Sequence, residues 1–193
     1  MNRITAIATV EQTIRKSRFI GVCGPVDSPE EAAEFVAEHG AEGCRHVAFA
    51  WRLGDAVRFD DAGEPGGTAG RPILAALEHF ELDRSIAVVS RFFGGVKLGT
   101  GGLARAYGGT AMEVLQTAPQ APIVAMTERI VDAGFECADA LHRQIDDLGA
   151  EKLDERWTSD GVTLHVRLPQ RHAAELERAV REITRGQGSC LAP

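Results

Sequence analysis

SIAVVSRFFGGVKLGTGGLARAYGG, residues 85–109, joins a strand-like run to a helix-like one. IAVVSRFF (86–93) is short, apolar and rich in β-branched residues, the signature of a strand buried on both faces. LARAYGGTAMEVLQ (103–116) places Leu103, Tyr107, Thr110–Ala111 and Val114 at the 3.6-residue period of a core helix. Between and within them, seven of the sixteen residues from Gly94 to Gly109 are glycine. Each glycine weakens a regular element by about 0.5–1 kcal/mol relative to alanine. Such a concentration implies unusual dihedrals or a close approach to the backbone. Gly-Gly pairs that turn the chain and let the helix press on a sheet satisfy both conditions.

Working outward, the first part of the chain reads as mixed α/β. RFIGVCGPV (18–26) is a strand, and Asp27-Ser28 before PEEAAEFVAEH marks a helix start with Pro29 in its first turn. HVAFAWRL (46–53) and AVRFDD (56–61) form a strand pair around Gly54-Asp55. A second glycine-rich segment, DDAGEPGGTAGRP (60–72), precedes a helix over 72–80 with Thr68 or Gly70 as candidate caps. Pro119 and Pro122 punctuate TAPQAP (117–122) and place a domain boundary near residue 120. Beyond it the order is βαββαβ: ERIVDAGF, then ADALHRQIDDLG stopped by Gly149, then two strands across Ser159-Asp160-Gly161, a helix, and SCLA. That order predicts a ferredoxin-like domain over 121–193.

Composition bounds the function. The chain has 193 residues, 44% hydrophobic, and a net charge of −7. Residues 1–120 hold 12 basic and 15 acidic residues and residues 121–193 hold 9 and 13, so neither half is a basic module. That argues against tight nonspecific binding of nucleic acid, which phosphate neutralisation drives; a local basic patch is compatible with it. No apolar run approaches the roughly 20 residues of a membrane span, and the N-terminus lacks secretory-signal features. Cys23, Cys44, Cys137 and Cys190 are scattered without a CxxC pair, consistent with reduced thiols in a cytoplasmic protein.

The chemistry-bearing residues fall in the two glycine-rich segments. Gly94 and Gly99 have P-loop spacing, but Thr100 stands where the lysine is required. Gly99-Thr100-Gly101-Gly102-Leu103-Ala104 fits GxGxxA loosely, without the alternating βα units a dinucleotide fold needs. A further possibility is that backbone N–H groups at the start of the 103–116 helix attract an anion, assisted by Arg91 and Lys97. Asp60, Asp61 and Glu64 could hold a hard cation, yet their spacing is not that of an EF-hand, and turn chemistry is the preferred reading of the segment. His46 is either a polar core residue or a loop ligand. An acid–base or metal site built from Asp60, Asp61, Glu64 and His46 is the enzymatic alternative.

Taken together, KSRF (16–19), His46 with Ala50-Trp51, DDAGEPGGTAG (60–70), Pro72-Ile73-Leu74 and VVSRFFGGVKLGTGGLARAY (88–107) closely resemble the IMPACT / YigZ family over residues 14–118. Residues 124–193 look like the small C-terminal domain of its bacterial two-domain members. The resemblance implies an α+β protein: a domain like the second domain of ribosomal protein S-five over 1–120, then the ferredoxin-like domain. That pairing is similar to the last two domains of elongation factor G. It also implies a role in translation or stress regulation. The expectation is a cytoplasmic binding protein, not an enzyme, with no cofactor and no membrane partner. Its partner would be RNA, a ribosomal component or a translation-related protein. The surface carried over is Asp60, Asp61, Glu64, Pro65, Gly67, Thr68, Arg91, Gly94, Gly95, Lys97, Gly99 and Gly102.

Overall fold

The computed structural model describes residues 1–193, which divide into two units, Met1–Ile123 and Val124–Pro193. In unit 1, strands β1 (Asn2–Ile4), β2 (Ala8–Ile14) and β3 (Ser17–Pro25) precede helix α1 (Pro29–His39). Strands β4 (His46–Leu53) and β5 (Ala56–Asp60) precede α2 (Gly70–His79), and β6 (Ser85–Phe92) leads to α3 (Thr100–Thr117) and β7 (Gln120–Pro122). Five strands form an antiparallel sheet in the order β2-β3-β6-β4-β5, and β1 pairs with β7 in a separate two-stranded ribbon.

β6 lies at the centre of this sheet, which explains its unbroken apolar run. Alternate side chains go to opposite faces. Ala87 and Val89 join Phe19, Ala48, Leu77, Tyr107 and Leu115 in the core beneath α2 and α3. Ile86 and Val88 join Val22, Phe35 and Trp51 in a smaller cluster beneath α1. Close approach of helix to sheet is met by a glycine outside the opening stretch. A Cβ on Gly21 of β3 would come within 2.9 Å of Thr110 Cγ2, so α3 packs close against the strand.

Helix starts follow capping chemistry. Ser28 caps α1 by accepting from the Glu31 N–H, and Glu31 in return accepts from the Asp27 N–H. The start of α2 corrects the sequence-based expectation. Neither Thr68 nor Gly70 is its cap; residue 69 holds that position without a side-chain bond, and the Thr68 hydroxyl donates to the Pro65 carbonyl. Asp61, eight residues upstream, supplies the acceptors: Oδ1 takes the Ala69 and Gly70 N–H groups and Oδ2 takes that of Gly67. Helix α3 also differs, beginning at Thr100 rather than residue 103. Two glycines in its first turn argue against a helix on propensity, and tertiary packing overrides them.

In unit 2, β8 (Met126–Ala133), α4 (Ala138–Asp147), β9 (Glu151–Trp157), β10 (Val162–Pro169), α5 (Ala173–Ile183) and β11 (Ser189–Leu191) follow the predicted βαββαβ order. The antiparallel sheet runs β11-β8-β10-β9, and the unit is ferredoxin-like. Val131, Leu164, Val166 and Leu168 pack against Leu141 and Ile145 of α4 and Leu176 and Val180 of α5. Gly149 ends α4 with φ +62°, its N–H bonded to Asp146 and the next N–H to Ile145, a Schellman motif. His165 lies on the sheet's other face, 2.9 Å from Glu128. No helix of the protein is long and apolar enough to cross a membrane.

Candidate functional site: a two-loop cleft in unit 1

The register of three neighbouring strands builds the site's floor. Arg91 on β6 stands directly opposite Phe19 on β3 and His46 on β4. The Arg91 guanidinium lies 5.7 Å from the Phe19 ring centroid and 5.5 Å from that of Phe93. Its Nη1 donates to Glu64 Oε1 at 2.7 Å, and the Tyr107 hydroxyl donates to the same oxygen at 2.8 Å. Arg91 and Glu64 side chains are only 7% and 5% exposed, so this is a buried pair. Tyr107 is fully buried and packs edge-on against Phe19 at 5.3 Å. Burial pushes the Tyr107 hydroxyl above its ordinary pKa, and its bond to Glu64 acts in the same direction, so it stays a donor. One carboxylate therefore ties the 60–70 loop both to the strand entering the second glycine segment and to α3.

Above this floor lies a cleft of about 490 Å³. The first loop contributes Glu64 and Pro65, and the second contributes Lys97, Leu98, Gly99 and Thr100. Arg45 and His46 close one side, and Phe92, Phe93 and Leu103 add apolar wall. The two glycine-rich segments thus meet at one end of the sheet. His46 is half-buried, with Nδ1 2.8 Å from the Ala62 carbonyl.

Seven of the twelve residues carried over from the sequence do not line the cleft: Asp60, Asp61, Gly67, Thr68, Gly94, Gly95 and Gly102. Asp60 accepts from the Ala62 N–H, and Asp61 caps α2. A Cβ on Gly94 would overlap the Lys16 carbonyl, so Gly94 packs the loop against the β2–β3 turn. Gly95 and Gly67 take φ +84° and +76°, which suits glycine. Gly102 lies in a neighbouring groove. Arg91 corrects a further expectation: it is buried and paired, not a surface cation. The enzymatic grouping is brought together only in part: His46 and Glu64 line the cleft, and Asp60 and Asp61 do not. No three His, Cys, Asp or Glu side chains converge as a metal would need, and each carboxylate of the first loop has its own structural partner.

Sequence reasoning missed Arg45, Phe93, Leu98 and Thr100 as cleft residues, and Tyr107 as the partner of Glu64. Their signals were faint, although Tyr107 is the chain's single tyrosine and sits in an otherwise small-residue helix stretch.

Asp61 supports a direct test. Burial works to raise its pKa, but the N–H bonds from Gly67, Ala69 and Gly70 outweigh it and hold the carboxyl below its ordinary range. Asp61→Ala is expected to cost about 2–3 kcal/mol by stranding three donors at the start of α2. Because the folded-state pKa is depressed, the contribution is full above the unfolded value near 3.8 and lost as pH falls through the folded one. Denaturant unfolding from pH 7 to 2 should show wild type and variant diverging at neutral pH and converging in acid.

A strand-register floor roofed by two glycine-rich loops, followed by a separate ferredoxin-like unit, defines a two-domain α+β protein with an open cleft in its first unit. Residues 15–115 match the family model described as Impact N-terminal domain, and residues 138–187 match one described as Domain of unknown function (DUF1949). The chain belongs to the IMPACT family. It is 41% identical to the "IMPACT family member in pol 5'region" of Thermus thermophilus over 175 residues, covering 90% of this chain and 97% of that protein. It is 33% identical to "IMPACT family member YigZ" of Escherichia coli (strain K12), covering 97% and 95%. A solved structure described as "Crystal structure of an hypothetical protein" aligns with a TM-score of 0.71 at 33% identity, covering 100% of this chain and 96% of that one.

Proposed function

We propose that this protein is a non-enzymatic cytoplasmic binding protein that acts in translation or stress regulation by engaging RNA of the translation machinery through the two-loop cleft. The cleft itself carries the proposal. On a protein of net charge −7, Arg45 and Lys97 face it without an ion pair, beside the uncapped start of α3. Unpaired cations and free helix N–H groups favour an anionic ligand. Membership of the IMPACT family agrees with the role in translation or stress regulation that the resemblance implies.

Co-sedimentation with purified ribosomes across a salt series tests this. Association should weaken linearly in log–log form as salt rises, with the slope reduced by about 0.7 for each single-strand phosphate contact removed. Lys97→Ala, at an exposed position, should produce that reduction without loss of fold. Salt-independent association, or none at low salt, would overturn the RNA assignment.

A further inference from the structure

Resting on that RNA assignment, the structure carries a finer one. We propose that the cleft holds a single nucleotide unit of single-stranded RNA, phosphate over the first turn of α3 and base against Phe93, while the neighbouring phosphate lies in an adjoining groove walled by Arg15 and Arg105.

The phosphate position follows from two independent features. Helix α3 spans 18 residues, and its N-cap, Gly99, has φ +72° and makes no side-chain cap bond. The first intrahelical bond runs from the Leu103 N–H to the Gly99 carbonyl, so the preceding N–H groups have no helical partner. No acidic residue occupies the first turn. Separately, Arg91 Nε is the one buried side-chain nitrogen or oxygen in the protein without a hydrogen-bond partner. Arg91 lines the cleft together with Gly99 and Thr100, and its side chain is more than nine-tenths buried. A buried donor left unpaired is costly and points to a group that completes it.

The base position follows from Phe93. Its side chain is a large apolar surface left 58% exposed at the cleft wall. Arg91 lies against the ring at 5.5 Å and leaves much of it open. Stacking on such a ring is how single-stranded nucleic acid is gripped without regard to sequence. A volume of about 490 Å³ is within the usual range for small-ligand sites and suits one nucleotide. A base must leave a duplex to reach it.

The path onward follows from a shared wall. Leu98 lines both this cleft and a second groove of about 200 Å³ that contains Ile14, Arg15, Gly102 and Arg105. Arg15 and Arg105 are exposed, and neither forms an ion pair. Two unpaired guanidinium groups just beyond the cleft offer a place for the next backbone phosphate.

Fluorescence anisotropy with the full chain tests the track, using a labelled ten-nucleotide single-stranded RNA, a duplex of the same sequence, and unlabelled adenosine monophosphate as competitor. The single strand should bind at least about tenfold more tightly than the duplex. Phe93→Ala should weaken it by about 5- to 150-fold, the range that base stacking commands, and Lys97→Ala should weaken it too. The paired change Arg15→Ala and Arg105→Ala should weaken the ten-nucleotide strand while leaving competition by the mononucleotide unchanged. All four positions are exposed, and unchanged thermal melting would establish that the variants fold. Equal affinity for strand and duplex with no effect of Phe93→Ala would overturn this inference and leave RNA association standing. An absence of RNA binding, with an acidic decapeptide bound in its place or not, would overturn both.

Discussion

Arg91→Met is expected to lower the stability of unit 1 by about 3–5 kcal/mol, the usual cost of removing one partner from a buried ion pair. The substitution leaves the Glu64 carboxylate, 5% exposed, with the Tyr107 hydroxyl as its remaining partner. It also removes the guanidinium that packs near the Phe19 and Phe93 rings. The charge left behind dominates, so Arg91→Met combined with Glu64→Gln should be less destabilised than the two single changes added together. A double-mutant cycle in denaturant measures that coupling directly. A loss below about 1 kcal/mol for Arg91→Met would show that the pair contributes little to the fold. Binding experiments on Arg91 variants therefore need a stability measurement beside them, whereas Lys97 and Arg45 can be changed without disturbing a buried partner.

Gly94→Ala is expected to be at least as damaging, at about 4 kcal/mol or more, in the range that marks a backbone collision. The added Cβ would overlap the Lys16 carbonyl group and the Ser17 nitrogen, which are main-chain atoms with nowhere to rotate. Those atoms belong to the β2–β3 turn, where Arg15 and Lys16 already sit at φ +45° and +69°. The bond from the Gly94 N–H to Ser17 Oγ would be strained as well. Gly95→Ala makes the control: its Cβ meets open space, and only the positive φ opposes it, at about 1 kcal/mol. Thermal melting of the two variants should separate them clearly. Similar losses at both positions would show that the turn yields to the added Cβ and that the contact does not decide the requirement at Gly94.

The elements that were legible in the sequence announced themselves locally. Ser28-Pro29 and the acids after it fixed the start of α1, Gly149 fixed the end of α4, and the β-branched run before Phe92 marked the sheet's centre. Unit 2 was readable because each strand and helix is bounded by its own turn signal. β2 was not, for two physical reasons. Its inward positions are Ala8, Val10, Gln12 and Ile14, so a polar residue interrupts the apolar alternation. Its turn into β3 uses Arg15-Lys16 at positive φ, where Asn-Gly would have been recognisable. β1 and β7 are three residues each and pair across most of unit 1, which no local pattern encodes.

The site was legible in part for a related reason. The residue types of both loops pointed to one surface, but their division of labour depends on distant partners. Glu64 meets Arg91 and Tyr107, respectively 27 and 43 residues away in sequence. Turn chemistry was the preferred reading of the three carboxylates in this loop, but only the folded path shows that Asp61 accepts from the N–H groups of Gly67, Ala69 and Gly70.

The β1–β7 ribbon has a practical consequence. Asn2 pairs with Pro122, and the Ile123 N–H reaches the Met1 carbonyl at 3.1 Å, so unit 1 begins and finishes at a single point. A segment whose two ends touch behaves as a cassette: it can be re-opened elsewhere, with its ends sealed by a short splice, or seated inside a host protein's surface loop. Residues 1–123 are thus well suited to circular permutation, with new ends at the exposed Gly54-Asp55 turn.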